Sequence, residues 1–223
     1  LNSARKILNK NKIFVCERSS SHIVYQDNLL AEEYQIYNRK FFRAHKWIIE
    51  NELKEYEMAD MILVPSNFVK NSFNKKDWNK IKVLNFGVNT QNFFRNKNIK
   101  KSQKYFDILF IGAISLRKGL QYLIEAFHKL KHPNKRLHIV GYHTLDKGFF
   151  ENKIKNDKII FYGYVNHYKL NELINKSHVF VLPSIEEGFA TVILQATAAG
   201  CPVIVSENTG AVSYTHLTLP TRS

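Results

Sequence analysis

The chain has 223 residues, of which 44% are hydrophobic and 23% charged, so it can bury one core or two small ones, and it is not expected to be disordered. Its formal net charge is +14 at pH 7, which is compatible with an anionic partner. No apolar run approaches the roughly 20 residues of a membrane-spanning helix, so no such helix is expected.

The cysteines and the first residues indicate a reducing compartment. Cys16 and Cys201 lie far apart in sequence, so they suggest neither a disulfide framework nor a metal-ligand pair. The residues before Lys12 lack the apolar core of a signal peptide. We expect a cytoplasmic location. Because the chain opens on Leu1 rather than methionine, we also expect that its natural start is missing.

The positive charge has two interpretations. Lysine is mixed with asparagine and isoleucine, as in residues 79–85 and 96–104, and no RNA-recognition, zinc-finger or helix-turn-helix pattern accompanies it. We therefore interpret the charge as a solvated lysine surface and expect no nucleic-acid partner. An anionic ligand, or peripheral contact with an anionic membrane surface, stays open.

Short apolar runs alternate with amphipathic segments along the chain. The first part predicts strands at 12–16, 61–64 and 81–84, with helices at 30–56 and 67–74. The second part predicts five strands and four helices in the same alternation. The strands are at 106–111, 137–140, 158–162, 179–182 and 203–205, and the helices at 119–130, 146–155, 168–175 and 191–199. This alternation is typical of α/β domains with doubly wound parallel sheets.

A lysine-rich stretch without periodicity separates the two parts. We predict an N-terminal domain at 1–96, a basic linker at 97–104 and a second domain at 105–210. Residues 212–221 spell one reading frame of a transposase adapter used to prepare DNA for sequencing. We therefore expect 211–223 to be a non-native tail, both domains to be incomplete, and this fragment by itself to be inactive.

The loops after the predicted strands of the second domain carry the candidate ligand groups, since ligands bind beyond the carboxyl ends of parallel strands. The loop GAISLRKG places Arg117 and Lys118 at the start of a helix. The stretch EEGFAT places backbone N–H groups of Gly188, Phe189 and Ala190 at another. Both arrangements bind phosphate. The chain has no dinucleotide fingerprint, P-loop or Asp-x-Asp pair, so we expect no NAD, Walker-type nucleotide site or metal.

Five sequence runs resemble the retaining glycosyltransferases of family 4, which have the GT-B fold of two Rossmann-like domains facing a cleft. Three are FIGAISLRKGLQYLIEAF, FYGYVNHYKLNELINKSHVFVLPSIEEGF and ATAAGCPVIVSENTG. ADMILVPSNFVKNSF and VLNFGVNTQNFF resemble the end of the family's first domain. The resemblance covers nearly all of 13–210, and its most specific block is 180–206.

The resemblance implies roles for individual residues. The family signature, two glutamates separated by seven residues, falls on Glu187 and Gln195. Glu187 would contact hydroxyls of the donor sugar, and Gln195 those of the nucleotide ribose. Thr191 belongs to the same donor-binding block. Glutamine accepts hydrogen bonds without the charge of glutamate, so weaker nucleotide binding is expected. We interpret the adjacent Glu186 as a carboxylate at a helix start.

Other positions depart from the family pattern or complete it. The family often has arginine where this chain has Ala113, so phosphate neutralisation would depend on Lys118 with Arg117. Gly112 would approach the donor. Gly163 and Tyr164 would flank its base. Two further departures from the pattern occur, Ala190 in place of a glycine and His178 where aspartate is common.

Candidates in the first domain are Arg18 and His22 of the run ERSSSHI, which would contact the sugar or its leaving phosphate. The alternative for His22 is a helix-capping or surface histidine. The aromatic-rich segment is interpreted as core and domain-surface packing rather than as a membrane-docking helix; it carries Tyr34, Tyr37, Phe41, Phe42 and Trp47. Cys201 is expected to be buried and unreactive.

The resemblance implies a metal-independent hexosyltransferase, without cofactors, that moves a sugar from a nucleotide-diphosphate sugar to a glycan, lipid-linked or small-molecule acceptor and retains its anomeric configuration. A sugar-nucleotide epimerase is less consistent, since the chain lacks G-x-G-x-x-G. A degenerate, non-catalytic nucleotide-sugar-binding module stays open because of Ala113 and Gln195.

Overall fold

The structure is a computed structural model that describes residues 12–142, 147–154 and 156–210. These residues form two compact units. The first comprises residues 12–86, Glu186–Phe189 and 207–210, and the second comprises Gly87–Ile185 and Ala190–Ser206. The stretch predicted as a linker, 97–104, falls inside the second unit; the domain limits themselves stay a prediction. The expected tail at 211–223 lies outside the described residues.

The first unit contains a small parallel sheet. Its strands are β1 (Val15–Glu17), β2 (Met61–Val64) and β3 (Ile81–Val83), paired in the order β1-β2-β3. Its helices are α1 (Ile23–Ile36), α2 (Lys46–Met58) and α3 (Asn67–Asn71), with short 3-10 turns at Lys75–Asp77 and Glu207–Thr209. Ile62, Val64 and Val69 are almost fully buried in its core.

The single helix predicted at 30–56 is wrong, because the structure has two helices there. The aromatic residues at 34, 37 and 41 have helical spacing, which made the pattern look continuous. Asn38 instead adopts the left-handed conformation, with a φ of 51°, and α2 begins only after His45, whose ring accepts a hydrogen bond from the Trp47 N–H. Phe42 and Trp47 do not lie in the core, since their side chains are 69% and 67% exposed. For these two residues the interpretation as domain-surface packing stays a prediction.

The second unit contains a five-stranded parallel sheet. Its strands are β4 (Phe106–Ile111), β5 (Lys135–Val140), β6 (Ile159–Gly163), β7 (Val179–Leu182) and β8 (Val203–Val205). Their spatial order is β6-β5-β4-β7-β8. Successive strands of this unit therefore lie in the order 3-2-1-4-5, which is that of an open doubly wound sheet. The predicted α/β class with parallel sheets is confirmed.

Four helices follow strands of this sheet. They are α4 (Leu120–Lys129), α5 (Lys147–Ile154), α6 (His167–Lys176) and α7 (Thr191–Ala198). Each lies within two residues of its predicted limits, although the predicted ends of α5 at 146 and 155 fall outside the described residues. Leu109, Phe110 and Phe180 are fully buried, so the sheet centre is the core of this unit. None of the described helices is long and apolar enough to span a membrane.

Candidate functional site

The strand order of the second unit locates its ligand-binding edge. The chain direction across the sheet reverses between β4 and β7, and ligands of such sheets bind outside the carboxyl ends of the strands at this switch point. The loop after β4 forms a 3-10 turn at Leu116–Lys118 that ends at Gly119. The loop after β7 starts at Pro183 and leads toward Ala190.

These two loops are in direct contact. The Ile185 N–H donates a hydrogen bond to the Arg117 carbonyl oxygen at 2.8 Å. Gly119 has a φ of 70°, and a Cβ added there would lie 1.7 Å from the carbonyl oxygen of Pro183. Only glycine fits this conformation and this close approach. The contact fixes the backbone beside Arg117 and Lys118 at the switch point.

Backbone hydrogen bonds connect the neighbouring loops to the same edge. The Gly112 N–H donates to the Val140 carbonyl, and the Gly141 N–H donates to the Gly163 carbonyl, both at 2.9 Å. A Cβ on Gly141 would lie 1.8 Å from the Gly112 carbonyl oxygen. Glycine at position 141 therefore allows the loop after β5 to approach the loop after β4 closely. The loops after β6, β5, β4 and β7 form one continuous edge.

The candidate cations of this edge are half-buried. Arg117 and Lys118 occupy the 3-10 turn. The Lys118 Cδ atom lies 3.7 Å from the position that a Cβ on Gly112 would take. The aliphatic part of the Lys118 side chain therefore runs beside Gly112. A Cβ at position 112 would make only an ordinary van der Waals contact with this side chain.

The start of α7 lies on the chain between β7 and β8. Its N-cap is Ala190, which is buried and has no side chain able to cap the first-turn amides, and Thr191 is exposed. The N-terminal end of a helix carries partial positive charge. Gln195 lies one turn further along, and its Oε1 is buried without a hydrogen-bond partner in the described part of the chain.

The segment Glu186–Phe189 packs within the first unit. A Cβ on Gly188 would lie 1.9 Å from the Ser19 carbonyl oxygen, so glycine is required there by close backbone approach. The Gly188 carbonyl accepts a hydrogen bond from Ser66 Oγ at 2.7 Å. Phe189 is buried with its ring 5.2 Å from that of Phe86. The half-buried Glu187 is held through its N–H, which donates to the Asn208 carbonyl.

The interpretation of Glu186 as a helix-start carboxylate is wrong. The helix that follows begins only at Thr191, and Glu186 is fully buried in the first unit. Its Oε1 accepts hydrogen bonds from the N–H and the hydroxyl of Ser21 at 2.9 and 2.8 Å, and its Oε2 accepts from Gln26 Nε2 at 2.8 Å. These donors satisfy the buried charge. In the sequence, only the polar run Ser19–Ser21 indicated a hydrogen-bond donor for Glu186.

The side chains of Arg18 and His22 contact other residues of the first unit. The Arg18 guanidinium pairs with the Glu52 carboxylate at 2.9 Å and donates to Gln26 Oε1 and the Ser21 carbonyl. The His22 ring packs against Phe73 at 4.9 Å and makes no capping hydrogen bond. Burial, and then the charge of Arg18, lower the pKa of His22, so it is neutral at pH 7. Their contact with a ligand stays a prediction.

Two other predicted positions have contrasting environments. Tyr164 follows β6 with an exposed side chain, and Gly163 before it has a φ of 67°, a conformation that favours glycine. Cys201 is buried, as predicted, and burial raises the pKa of its thiol. Its neutral sulfur is therefore shielded from chemistry.

Sequence analysis missed a buried polar cluster in the second unit. Asp107 accepts hydrogen bonds from Arg136 at 2.7 and 3.0 Å and contacts His138 Nε2 at 2.9 Å, while His138 Nδ1 lies 2.9 Å from Tyr162 Oη. Burial alone would raise the pKa of Asp107, but the hydrogen bonds from Arg136 and His138 outweigh it and hold that pKa below 3.8. The cluster joins β4, β5 and β6 and stabilises the sheet.

Comparison with known proteins identifies the family. The profile described as "Glycosyl transferases group 1" matches residues 90–216, which is more than half of the chain. The chain belongs to this family. It is 33% identical over 174 residues to an uncharacterized glycosyltransferase of Methanocaldococcus jannaschii, a match that covers 69% of the chain and 44% of that relative. The chain thus spans less than half the length of this relative.

Solved structures show the fold. Sucrose-phosphate synthase from Thermosynechococcus elongatus is similar with a TM-score of 0.76 and 21% identity, over 94% of this chain and 53% of that one. Anabaena HepE, determined in complex with UDP and glucose, is similar with a TM-score of 0.64 and 17% identity, over 74% of this chain and 49% of that one. The fold of this group 1 chain is GT-B. Within the described ranges, no cluster of three or more His, Cys, Asp or Glu side chains is arranged to hold a metal ion.

Proposed function

We propose that this chain is part of a retaining family 4 glycosyltransferase that moves a hexosyl sugar from a nucleotide-diphosphate sugar to an acceptor hydroxyl. The observation that carries the proposal is the contact of the two switch-point loops, Arg117 with Ile185 and Gly119 with Pro183. It sets two cationic residues at the edge where doubly wound sheets bind ligands. Membership of the group 1 family supports the reaction class.

Lys118 and Arg117 would stabilise the leaving diphosphate. When the bond from the sugar to the diphosphate breaks, negative charge grows on the phosphate oxygens and positive charge on the sugar carbon. Fixed cations near the departing oxygen lower the energy of that transition state. The first-turn amides of α7, which Ala190 cannot cap, would bind a second set of phosphate oxygens. Two cations and a helix end supply this stabilisation without a divalent metal, so we propose a metal-independent reaction with no cofactor.

The sugar and the nucleoside would be held by the remaining candidates. Glu187 would accept hydrogen bonds from donor-sugar hydroxyls, with the Gly188–Phe189 backbone beside it. Gln195 would accept from a ribose hydroxyl through its unpartnered Oε1. Gly163 and Tyr164 would flank the base, and Thr191 would lie at the start of the donor helix. Arg18 and His22 would contact the sugar or its leaving phosphate.

The partners follow from the reaction. HepE was determined with UDP and glucose, which supports a nucleotide-sugar donor for this chain. The acceptor would be a glycan, a lipid-linked sugar or a small molecule. We propose a cytoplasmic location, with contact at the cytoplasmic membrane surface where the acceptor is lipid-linked, and no nucleic-acid partner.

The decisive experiment measures donor binding and turnover together. Calorimetry with UDP, GDP and ADP and their sugar conjugates tests binding to the chain, and release of free nucleotide from the intact gene product that contains it tests turnover. We expect Lys118→Ala to weaken binding of the best nucleotide by about tenfold to a hundredfold, since a hydrogen bond to a charged group contributes about 1.5–3 kcal/mol. Lys129→Ala is the matched control, because Lys129 is exposed at the C-terminal end of α4, the helix that follows the 3-10 turn with Lys118.

Each result has a distinct meaning. Equal loss in both lysine variants would show general charge attraction rather than a site. Absence of nucleotide binding would overturn the proposal. Binding without turnover across the acceptor classes would favour the degenerate binding module, for which the uncharged Gln195 is the specific observation.

A further inference from the structure

A cavity in the second unit lies apart from the predicted donor residues. It has a volume of about 520 Å³ and lies between the irregular segment 91–100 and helix α6. This volume is within the range of roughly 300–1,000 Å³ found for small-molecule sites. None of the residues that we assign to the donor lines it. The proposed reaction therefore leaves this cavity unexplained.

Two buried amides hold the walls of the cavity together. Asn171 Oδ1 accepts a hydrogen bond from the Phe94 N–H at 3.2 Å. One turn further along α6, Asn175 Oδ1 accepts from the Asn96 N–H at 2.8 Å, and its Nδ2 donates to the Phe94 carbonyl at 3.0 Å. Both amide side chains are buried. They fix the irregular segment 91–100 to the helix, so the cavity is preformed in the fold.

The surface of the cavity combines exposed rings with hydrogen-bonding groups. Phe94 and Tyr168 line it with side chains that are 45% and 86% exposed. Around them lie amide and carboxylate side chains, namely those of Gln91, Asn92, Asn98 and Glu172. An aromatic face attracts the partly positive C–H hydrogens of a sugar ring, while amides and carboxylates both bind its hydroxyl groups. This combination suits a carbohydrate.

The lining of the cavity carries little net charge. Its cations are Lys100 and Lys176, and Lys176 is hydrogen-bonded to the Glu172 carboxylate, which also pairs with Lys169 at 2.9 Å. Apart from Lys100 and the paired Lys176 and Glu172, most of the polar lining consists of neutral amides. An uncharged polyhydroxyl ligand can use these amides and the Glu172 carboxylate as hydrogen-bond partners.

We propose that this cavity, lined by Phe94, Tyr168 and their amide neighbours, binds sugar units of a glycan chain outside the donor site. That this glycan is the acceptor or the product of the transfer rests on the proposed function. A second contact on the same chain would raise the effective concentration of the acceptor end at the transferase site. The cavity would thus favour long acceptors over short ones.

Affinity electrophoresis tests the binding. The native chain migrates toward the cathode through gels that contain neutral dextran, glycogen, yeast mannan or barley β-glucan. Neutral glycans are used because the net charge of +14 would retain the chain on acidic ones. We expect slower migration in at least one gel, with a Kd that rises about threefold to tenfold in Tyr168→Ala and in Phe94→Ala, the effect of losing one aromatic contact. Trp47→Ala should migrate like the unaltered chain, since it removes a ring that is also exposed, at 67%, but belongs to α2 and does not line the cavity.

Unchanged migration of the chain in all four gels would overturn the inference, and so would retardation that survives both cavity variants or falls equally in Trp47→Ala. Circular dichroism of each variant shows whether it is folded; the rings are exposed, so no unfolding is expected. The same gels are run with saturating UDP and with Lys118→Ala. If nucleotide binding fails while glycan retardation persists, only the proposed transferase function is overturned; if UDP binds but no glycan does, only the present inference fails.

Discussion

Glu186 and Ser21 are separated by 165 residues in sequence, yet the Glu186 carboxylate accepts hydrogen bonds from both the N–H and the hydroxyl of Ser21. The carboxylate is fully buried, and Gln26 donates to its other oxygen. The loop after β1 and the segment Glu186–Phe189 are thereby fixed to each other within the first unit. Glu187, the proposed sugar contact, follows directly on the chain.

Removal of this carboxylate should destabilise the protein. Glu186→Ala leaves the buried N–H and hydroxyl of Ser21 and the half-buried Gln26 amide without their acceptor, and each buried group so left costs about 1–3 kcal/mol. We expect the free energy of unfolding in urea to fall by about 3 kcal/mol or more. Glu187→Ala, at the half-buried neighbouring position, should change it by less than about 1 kcal/mol. Equal effects of the two substitutions would contradict the role assigned to Glu186.

Gly119 should be intolerant of any side chain. A Cβ there would lie 1.7 Å from the Pro183 carbonyl oxygen in a backbone of positive φ, so Gly119→Ala must separate the two switch-point loops. We expect a loss of more than about 2 kcal/mol in the free energy of unfolding, together with weaker nucleotide binding by calorimetry.

Gly148 provides the control for that substitution. It lies in α5 with an ordinary φ, and a Cβ there meets no atom within 4 Å. Gly148→Ala should therefore be neutral or stabilise the protein by up to about 1 kcal/mol, since alanine favours a helix over glycine. A Gly119→Ala protein as stable as Gly148→Ala would show that the loop contact is not rigid.

Asp107 should make stability depend on pH in the acid range. Despite its burial, hydrogen bonds from Arg136 and His138 hold its folded pKa below its ordinary value of 3.8. A depressed carboxylate pKa contributes stability that is present above the ordinary value and lost as the pH falls through 3.8 toward the folded pKa. Urea unfolding from pH 6 to pH 2.5 should show this loss.

The comparison of two asparagine variants isolates that contribution. Asp107→Asn should be less stable than the unaltered protein at pH 6, and its stability should fall less steeply below pH 4 because the titrating group is absent. Asp157→Asn, at an exposed position, should keep the slope of the unaltered protein. A parallel slope in Asp107→Asn would show that other carboxylates account for the acid loss.

The second sheet was predictable because its strands are mainly apolar. The limits predicted for β4, β7 and β8 are those observed, since these short apolar runs end where polar loop residues begin. The break between α1 and α2 was not predictable, because it depends on the left-handed conformation of Asn38 inside a pattern with helical spacing.

The candidate site was predictable only in part, for a similar reason. Local signals are visible in a few adjacent residues, and they include the loop glycines at 112, 119 and 163 and the two cations, Arg117 and Lys118, that precede Gly119. The partners of Glu186 and of Asp107 are 160 or more and about 30 residues away in sequence, respectively. Burial of such a carboxylate depends on which distant donors the fold brings to it, and a local sequence pattern does not show these donors.

Restoring a carboxylate at position 195 should strengthen nucleotide binding. The Gln195 Oε1 is buried and has no hydrogen-bond partner among the described residues, so this acceptor is unused in the fold, and the resemblance assigns position 195 to the ribose hydroxyls. A carboxylate accepts a stronger, charge-assisted hydrogen bond. We expect Gln195→Glu to lower the Kd for the preferred nucleotide about fivefold to tenfold, which corresponds to about 1 kcal/mol or slightly more. Gln195→Ala should raise it by a similar factor.

The nucleotide itself supplies the control for this effect. If position 195 contacts a ribose hydroxyl, the gain in Gln195→Glu should disappear with the 2′,3′-dideoxy form of the same nucleotide, because the acceptor then has no donor to bind. Lys118→Ala should weaken both nucleotides equally, since its proposed contact is with phosphate. A gain that persists with the dideoxy nucleotide, or an identical Kd in the glutamate, glutamine and alanine proteins, would remove residue 195 from the donor site.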